Sequence, residues 1–452
     1  MELMQSTHNK RLSLGIAVVV SLLAYYVFAY HLERVEFLKL GVLYTALFTS
    51  FIYIVTRHKQ NFKLLATLAI LFRLLFLIAI PNLSQDFYRF IWDGRMLLEG
   101  LNPYLFTPDT ILETGTVSIS QGAELHKKMG ALSAGNHTNY PPFNQLLFAV
   151  AALFSGNSII GSAIVLRVII ILADIGTLII GKKLLRSLNF PIHRIFWYLL
   201  NPFILIELTG NLHFEGVMVF FLLFGLYLLH TKSWQKAAVA FAISVSVKLI
   251  PLMFIPLLLK NLGWKKWFGF SSLVGGLTSL SFLPFFSLEF AANYLDTVGL
   301  WFQKFEFNAS IYYIIREVGK QFTGYNEIAI IGPALSFFTI LFILFTSSKD
   351  RNQNTRGLLT SMLLVLSFYF FTTTTMHPWY LVTVLGLSIF TNYRFPLVWS
   401  FVVIGSYFAY SGSDAHENYW ILFIEYGAVY GVLIYELIKN RSIKKPISTT
   451  QK

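Results

Sequence analysis

Long apolar runs separated by short polar segments dominate this sequence. A helix needs roughly 20 apolar residues to cross a hydrocarbon core of about 30 Å. Runs near that length, some of them shorter, lie at 12–30, 37–55, 62–81, 158–181, 193–209, 213–230, 267–286, 328–346, 357–374, 378–390, 395–410 and 418–438. The pattern therefore predicts an all-α integral membrane protein with about 12 transmembrane helices.

The first run resembles a signal sequence because it follows Lys10 and Arg11. Its apolar stretch is too long for a signal peptide, however, and no small-x-small cleavage site follows it. We expect this run to stay as a membrane anchor.

Clusters of Lys and Arg predict which loops face the cytoplasm, because cytoplasmic loops carry an excess of these residues. The clusters are Arg57, Lys59 and Lys63; Lys182, Lys183, Arg186 and Arg194; Lys232 and Lys236; Lys260, Lys265 and Lys266; and Lys439, Arg441, Lys444 and Lys445. This arrangement predicts that both termini are cytoplasmic. It also predicts that 82–142 and 287–327 are external loops.

Two apolar segments do not fit simple crossings. Because 143–181 can cross only once in this topology, 143–155 is predicted to be re-entrant or interfacial. Both ends of 236–260 fall in the cytoplasm, so this segment is predicted to be a hairpin broken at Lys248 and Pro251. Residues 1–438 thus form a single predicted membrane domain, followed by a basic cytoplasmic tail over 439–452.

Composition supports this class of protein. Hydrophobic residues make up 56% of the 452 residues and charged residues only 13%, whereas a soluble chain carries roughly 25% charged residues. The net charge of +13 follows largely from the cytoplasmic loops, so no nucleic-acid partner is predicted. The chain has no cysteine, which excludes disulfides and thiolate-bound zinc.

The polar stretch 84–104, which reads SQDFYRFIWDGRMLLEGLNPY, follows the third apolar run. If it is helical, Asp86, Arg89 and Asp93 lie near one face, at spacings of three and four residues. Apolar residues expected to meet lipid headgroups are Phe90, Ile91, Leu97 and Leu98. The alternative is a structural interface helix whose Asp and Arg side chains pair with each other.

This stretch resembles the first-loop signature of polytopic GT-C glycosyltransferases. It is most similar to the bacterial mannosyltransferases that use polyprenyl-phosphate-mannose, and it is also similar to the catalytic subunit of the GPI first-mannose transferase. Further matching motifs are NYPP at 139–142, NP at 201–202 with GNLHFE at 210–215, KLIP at 248–251 and HPWY at 377–380. Glu215 departs from the family, which more often has Asp there.

The resemblance, which runs over about 80–390, implies a GT-C-like fold with external interfacial helices in 82–142 and 287–327. It also implies an enzyme of the bacterial inner membrane that moves a hexose, mannose above all, at the outer face. The donor would be a polyprenyl-phosphate sugar, and the acceptor a glycan, a glycolipid or a protein. Surrounding membrane lipids are the other expected partners.

Roles for individual residues follow from the resemblance. Asp86 is the expected general base, and Asp93 is a second catalytic candidate that could instead form a structural salt bridge with Arg89 or Arg95. The expected ligands of the donor phosphate are Arg89, Lys248 and His377. The expected sugar or acceptor contacts are Tyr88, Trp92, Arg95, Tyr140, His213, Glu215, Trp379 and Tyr380.

Several of these residues could instead have a purely structural role. Lys248 could snorkel to the outer interface, and Trp and Tyr are enriched at membrane interfaces in any case. His213 and Glu215 could join a divalent metal site, but a His-x-Glu pair alone is insufficient, so no metal and no other cofactor is predicted. Arg73, inside an apolar run, could pair with Asp174 or with a lipid phosphate.

Two other functions compete with the transferase interpretation. A secondary transporter or a flippase of lipid-linked sugars would also use broken helices near mid-membrane. Transporters usually carry matched breaks in two repeated halves, whereas the polar motifs here cluster on the predicted outer side. A polymerase or ligase of lipid-linked glycans would differ in using a diphosphate donor.

Overall fold

The computed structural model describes residues 2–115, 117–303, 305–412 and 416–442, and the side chains of 10–115, 117–300, 305–412 and 416–439. Within these residues the regular structure is helical, with an isolated parallel bridge between Phe307 and Thr375. The all-α prediction is confirmed for this part of the chain. Residues 443–452, which are most of the predicted basic tail, lie outside the described residues.

The described residues form 22 α-helices joined by short connections. In chain order they are α1 (Glu2–His31), α2 (Phe37–Arg57), α3 (Phe62–Leu74), α4 (Asp86–Leu98), α5 (Pro108–Thr114), α6 (Gly122–Met129), α7 (Ala131–Ala134), α8 (Pro142–Ser155), α9 (Ile159–Ser187), α10 (Phe196–Leu199), α11 (Pro202–Ile204), α12 (Glu215–His230), α13 (Trp234–Val247), α14 (Leu259–Leu262), α15 (Trp264–Phe282), α16 (Leu288–Gln303), α17 (Ile311–Thr323), α18 (Ile328–Ser347), α19 (Thr355–Thr372), α20 (Leu381–Ser388), α21 (Phe395–Val402) and α22 (Tyr419–Ser442).

Tighter and wider helical turns lie between these helices. The 3₁₀ segments are Ile192–Ile195, Ile250–Phe254, Pro256–Leu258, Leu283–Phe285, Asp350–Gln353, Pro378–Tyr380 and Val403–Tyr410, and the π-helical segment is Leu205–Gly210.

Seven helices of the described residues are long and apolar enough to cross a membrane. They are Lys10–His31, Phe37–Arg57, Ile159–Ser187, Trp264–Phe285, Ile328–Ser347, Thr355–Thr372 and Tyr419–Lys439. The protein is therefore a polytopic membrane protein. Each of these helices coincides with one of the runs predicted to span.

The predicted number of about 12 crossings is not confirmed. Pro202–Gly210 and Glu215–His230 are bent by 113° at their junction, and they would add one span if taken together. The predicted spans at 62–81, 378–390 and 395–410 contain only shorter helices. Helix α3, for example, has 13 residues, which cover about 20 Å at 1.5 Å per residue.

The predicted break at Lys248 is confirmed. Helix α13 ends at Val247, and Lys248 adopts an extended conformation with φ of −156° and ψ of 137°. Pro251 lies in the first turn of the following 3₁₀ segment, where the missing amide hydrogen of proline costs least. The two apolar pieces of 236–260 are therefore separate helical segments.

Buried arginines hold the broken helices together. The Nε of Arg73 lies 2.7 Å from the Oδ2 of Asp174, and both side chains are almost fully buried. Of the two partners expected for Arg73, the structure selects Asp174. Arg167 donates from Nε to the carbonyl oxygen of Thr209 at 2.7 Å and from Nη1 to that of Leu77 at 2.8 Å. These carbonyls lie near helix breaks, where an apolar interior offers no water to satisfy them.

The polar loop 82–142 folds into four helices, α4 to α7, and α4 packs closely on α8. Phe90 and Ile91 are each 1% exposed, so their predicted contact with headgroups is wrong. Phe90 instead stacks on Phe148 of α8, with ring centroids 4.6 Å apart. Leu98 alone of the predicted lipid-facing residues is half exposed. The helix is thus mostly buried in protein because α8 covers its apolar face.

Gly94 permits this close packing. A Cβ atom added there would lie 2.2 Å from the carbonyl oxygen of Phe148. We expect Gly94→Ala to lower the free energy of unfolding by about 1–3 kcal/mol, as overpacked cores do. The midpoint of thermal unfolding in detergent measures the effect.

Gly41→Ala is the matched control, since a Cβ atom at position 41 in α2 meets nothing within 4 Å. Alanine is intrinsically more favourable than glycine in a helix, so this variant should unfold at an equal or higher temperature. Equal midpoints for Gly94→Ala and Gly41→Ala would contradict the close contact.

Candidate functional site

A cavity of about 530 Å³ lies where α4, the break at Lys248 and the segment after α19 meet. Seven of the residues predicted to form the site line it, namely Asp86, Arg89, Tyr140, Lys248, His377, Trp379 and Tyr380. They come from four separate parts of the sequence. The motifs that were noted in order along the chain thus converge on one place.

Asp86 is the first residue of α4 and is half-buried at the cavity wall. Loss of hydration raises the pKa of its carboxyl group to about 6. The positive charge of Lys248 lowers this pKa, the negative charge of Glu215 raises it, and Arg34 lowers it. These three side chains are therefore close enough to control the charge of Asp86.

Arg89 and Asp93 form an ion pair one helical turn apart. The Nε of Arg89 lies 2.6 Å from the Oδ1 of Asp93, and the Oδ2 of Asp93 accepts a hydrogen bond from Gln145 at 3.0 Å. Arg89 also donates to the carbonyl oxygens of Ser133 and Asn136. Asp93 is fully buried and lies outside the cavity lining, which is the arrangement of a structural salt bridge.

Lys248 pairs with Glu215, the first residue of α12. The side chain of Glu215 is 3% exposed, whereas that of Lys248 is 27% exposed and lines the cavity. The Nζ of Lys248 also lies 4.5 Å from the centroid of the Tyr380 ring. Glu215 thus supports the site through Lys248.

Four rings stack in a column beside this pair. The centroid of Trp379 lies 3.9 Å from that of His213 on one side and 4.5 Å from that of His377 on the other. Phe307 continues the column 5.1 Å from His377. Burial is the main cause that lowers the pKa of His377 to about 3, so this imidazole is neutral near pH 7.

Backbone hydrogen bonds fix the column. The N–H of Phe307 donates to the carbonyl oxygen of Thr374 at 3.1 Å, and the N–H of Met376 donates to that of Phe307 at 2.8 Å. On the other side, the Nε2 of His213 lies 3.7 Å from the Oε2 of the buried Glu207. Both ends of the column are therefore held from outside the cavity.

Five of the eight predicted sugar or acceptor contacts lie outside the cavity lining: His213 and Glu215, which contact lining residues, and three residues of α4. Trp92 is fully buried, and Tyr88 packs on Phe87 with ring centroids 3.9 Å apart. Arg95 bonds to the carbonyl oxygen of Ser120 and to Gln121. These side chains point from α4 into the fold of the 82–142 loop.

The cavity lining also contains charged residues that sequence reasoning missed. They are Arg34, Glu306 and Glu417. Glu417 accepts a hydrogen bond from the backbone N–H of Asn308 at 2.5 Å, and burial raises the pKa of its carboxyl group. Arg34 lies in the short connection between the first two predicted spans, where it stands between Glu33 and Glu36, so no distinct signal in the sequence marks it.

The described residues contain no group of three or more His, Cys, Asp or Glu side chains that could hold a metal ion. Glu215 is engaged with Lys248, and His213 stacks on Trp379. The fold and the cavity together define a helical membrane protein with a charged, aromatic-lined site.

Comparison with known proteins gives the family. Residues 35–262, half of the chain, match the family described as alpha-(1->6)-mannopyranosyltransferase, N-terminal domain. Alpha-(1->6)-mannopyranosyltransferase A of Corynebacterium glutamicum is 24% identical over 184 residues, which cover 39% of this chain and 34% of that protein. The chain thus aligns with about a third of the length of that relative. It belongs to the alpha-(1->6)-mannopyranosyltransferase family.

The pair of Lys248 and Glu215 should be strongly coupled. Removal of one partner from a buried pair lowers the free energy of unfolding by about 3–5 kcal/mol. Lys248→Met should lower it more than Glu215→Gln does, because Lys248→Met leaves the more buried charge, that of Glu215, without a partner. The double variant should lose less than the two single losses combined, by about 0.5–3 kcal/mol. Thermal unfolding of the four proteins measures the coupling.

The exposed pair of Lys260 and Asp350, 3.2 Å apart, is the matched control. Its double-mutant cycle should give a coupling of about 0–1 kcal/mol. If the losses of unfolding free energy in the Lys248 and Glu215 single variants add up to the loss in the double variant, the two side chains do not stabilise each other.

Proposed function

We propose that this protein is a membrane glycosyltransferase that moves a hexose, most simply mannose, from a polyprenyl-phosphate sugar to a glycan, glycolipid or protein acceptor. Asp86 is the general base of the reaction. The observation that carries the proposal is the cavity in which Asp86 lies beside Lys248 and the ring column of Trp379 and His377. Membership of the mannosyltransferase family supports the same reaction class.

The transfer reaction is a displacement at the anomeric carbon. The hydroxyl oxygen of the acceptor forms a bond to C1 of the sugar while its proton passes to the carboxylate of Asp86. The bond between C1 and the phosphate oxygen breaks, and the polyprenyl phosphate leaves with the electron pair. A base with a pKa near the working pH suits this step, and a pKa of about 6 meets that requirement.

The leaving phosphate gains negative charge as the bond breaks, so cationic and N–H groups fixed in the cavity would stabilise the transition state. Lys248 supplies a cation whose charge is partly balanced by Glu215. His377, being neutral near pH 7, would act as a hydrogen-bonding group and not as a cation. Arg89 is already committed to Asp93 and two carbonyl oxygens.

The ring column offers an apolar wall for the sugar. Trp379 and Tyr380 are half-buried at the cavity surface, so one side of each can meet a ligand. The remaining predicted contact at this wall is Tyr140, whose ring packs on Phe90 with centroids 4.9 Å apart.

We further propose a GT-C-like arrangement in which the cavity faces outside and both termini are cytoplasmic. The distribution of Lys and Arg among the short loops supports this orientation. Helices of the external loops, α4 to α7 and α16 with α17, would lie at the outer membrane interface. A polyprenyl chain would stay in the lipid while its phosphate reached the cavity.

Asp86→Asn should strongly slow sugar transfer without loss of folding. General base catalysis contributes about 10²–10⁴-fold in rate, so kcat should fall by that factor while the donor still binds. Transfer in proteoliposomes measures the effect, with polyprenyl-phosphate-mannose, its glucose analogue and nucleotide sugars offered as donors.

Asp109→Asn is the matched control, because Asp109 lies in the same loop but outside the cavity lining and pairs with His126 at 2.5 Å. It should retain activity. Full activity in Asp86→Asn would show that another group is the base. A folded wild-type protein that transfers sugar from none of these donors would contradict the enzyme class and favour a transporter or flippase.

The rate should depend on pH through Asp86. The carboxylate is the active form. Because its pKa is raised to about 6, kcat/KM should reach its maximum well above pH 6. Below pH 6 it should fall about tenfold per pH unit. A pH–rate profile measures this acidic limb.

Glu215→Gln should move the acidic limb of the pH–rate profile to lower pH, because this substitution removes a negative charge that raises the pKa of Asp86. A limb that stays in place or moves upward in Glu215→Gln would show that Asp86 is not the titrating group.

A further inference from the structure

Three arginine and lysine side chains line the cavity, namely Arg34, Arg89 and Lys248. Two of them already have carboxylate partners. Arg89 pairs with Asp93 at 2.6 Å, and Lys248 pairs with Glu215. Lys248 would have to leave Glu215, a buried carboxylate, in order to bind an anion fully. Arg89 has only its Nη2 without a hydrogen-bond partner among the described residues, and its charge is already balanced by Asp93.

Arg34 differs from the other two. It lies in the turn between α1 and α2, and no carboxylate of the described residues pairs with it. Its Nε is buried without a hydrogen-bond partner among those residues. A buried N–H donor of a charged group is costly to leave unsatisfied, so this atom is suited to a ligand that enters the cavity.

Tyr410 holds the guanidinium in place. The Cζ of Arg34 lies 3.3 Å from the centroid of the Tyr410 ring, and Tyr410 also lines the cavity. Stacking on an aromatic face fixes the plane of the guanidinium and leaves its edge free to donate. A planar fork of N–H groups matches the oxygen atoms of a phosphate.

Arg34 is also close to the reacting groups. Its charge lowers the pKa of both Asp86 and His377, so it lies within electrostatic reach of each. A sugar whose anomeric carbon lies near Asp86 would have its phosphate on the opposite side of that carbon, inside the same cavity.

We infer that Arg34 binds the phosphate group of the lipid-linked ligand in this cavity, through its guanidinium edge and with Tyr410 as its support. The inference rests on the proposed function and adds to it the residue that recognises the phosphate. In this assignment Arg34 is a second cation for the phosphate besides Lys248, and it differs from Lys248 in having no carboxylate partner among the described residues.

The test compares two lipids that differ only in the phosphate. Binding of farnesyl phosphate and of farnesol to the full-length protein in nanodiscs is measured by calorimetry for wild type, Arg34→Gln and Arg34→Lys. Arg34→Gln should weaken the binding of farnesyl phosphate at least about tenfold, as loss of charge-assisted hydrogen bonds does. The binding of farnesol should change by less than about twofold.

Arg34→Lys keeps the charge but loses the fork, so its affinity for farnesyl phosphate should lie between those of wild type and Arg34→Gln. Arg57→Gln is the matched control, since Arg57 is an exposed arginine at the end of α2 and does not line the cavity. It should bind both lipids as the wild type does.

The outcomes separate this inference from the proposed function. If wild type prefers the phosphate and Arg34→Gln keeps the preference, the role of Arg34 is overturned and the transferase proposal stands. If wild type binds both lipids equally, the result contradicts both the polyprenyl-phosphate donor of the proposed function and the role of Arg34. Should Arg34→Gln fail to fold, Arg34→Lys decides, and full wild-type preference in that variant overturns the inference.

Discussion

The ion pair between Lys248 and Glu215 is the interaction on which the rest of the site depends. Each partner stands at a break in a helix: Glu215 begins α12 after the 113° bend, and Lys248 occupies the extended position where α13 ends. A single charge in an apolar interior is costly, and a paired charge is tolerated. The pair therefore joins the two breaks and brings opposite charges beside Asp86.

The same requirement explains the other buried charges. Breaks in the helices leave carbonyl oxygens without their usual helical partners, and in lipid no water replaces them. Arg73 donates to the carbonyl oxygen of Leu199, at the end of α10, while it pairs with Asp174. Arg167 does the same for Thr209 and Leu77. These arginines stabilise an irregular backbone, which in turn permits a cavity inside a helical membrane protein.

Sequence reasoning found much of the cavity because short motifs carry unusual residues for an apolar chain. Asp86, Lys248 and His377 were identified in this way, and all three line the cavity. Trp92 and Arg95, which belong to the same motif as Asp86, were expected to contact the sugar or the acceptor, but their side chains contact the 82–142 loop. Periodicity indicates which residues share a helix face; it does not indicate which neighbour covers that face.

The apolar runs by themselves determined that the chain is helical and lies in a membrane, since hydropathy and helix length are properties of local sequence. Motif order likewise indicated the family. Only the tertiary structure decided that α4 is buried against α8 at Gly94, that Arg73 pairs with Asp174, and that Arg34 reaches the cavity. These outcomes depend on contacts between residues far apart in the chain, where packing and the need to neutralise buried charge select one partner among several that local sequence permits.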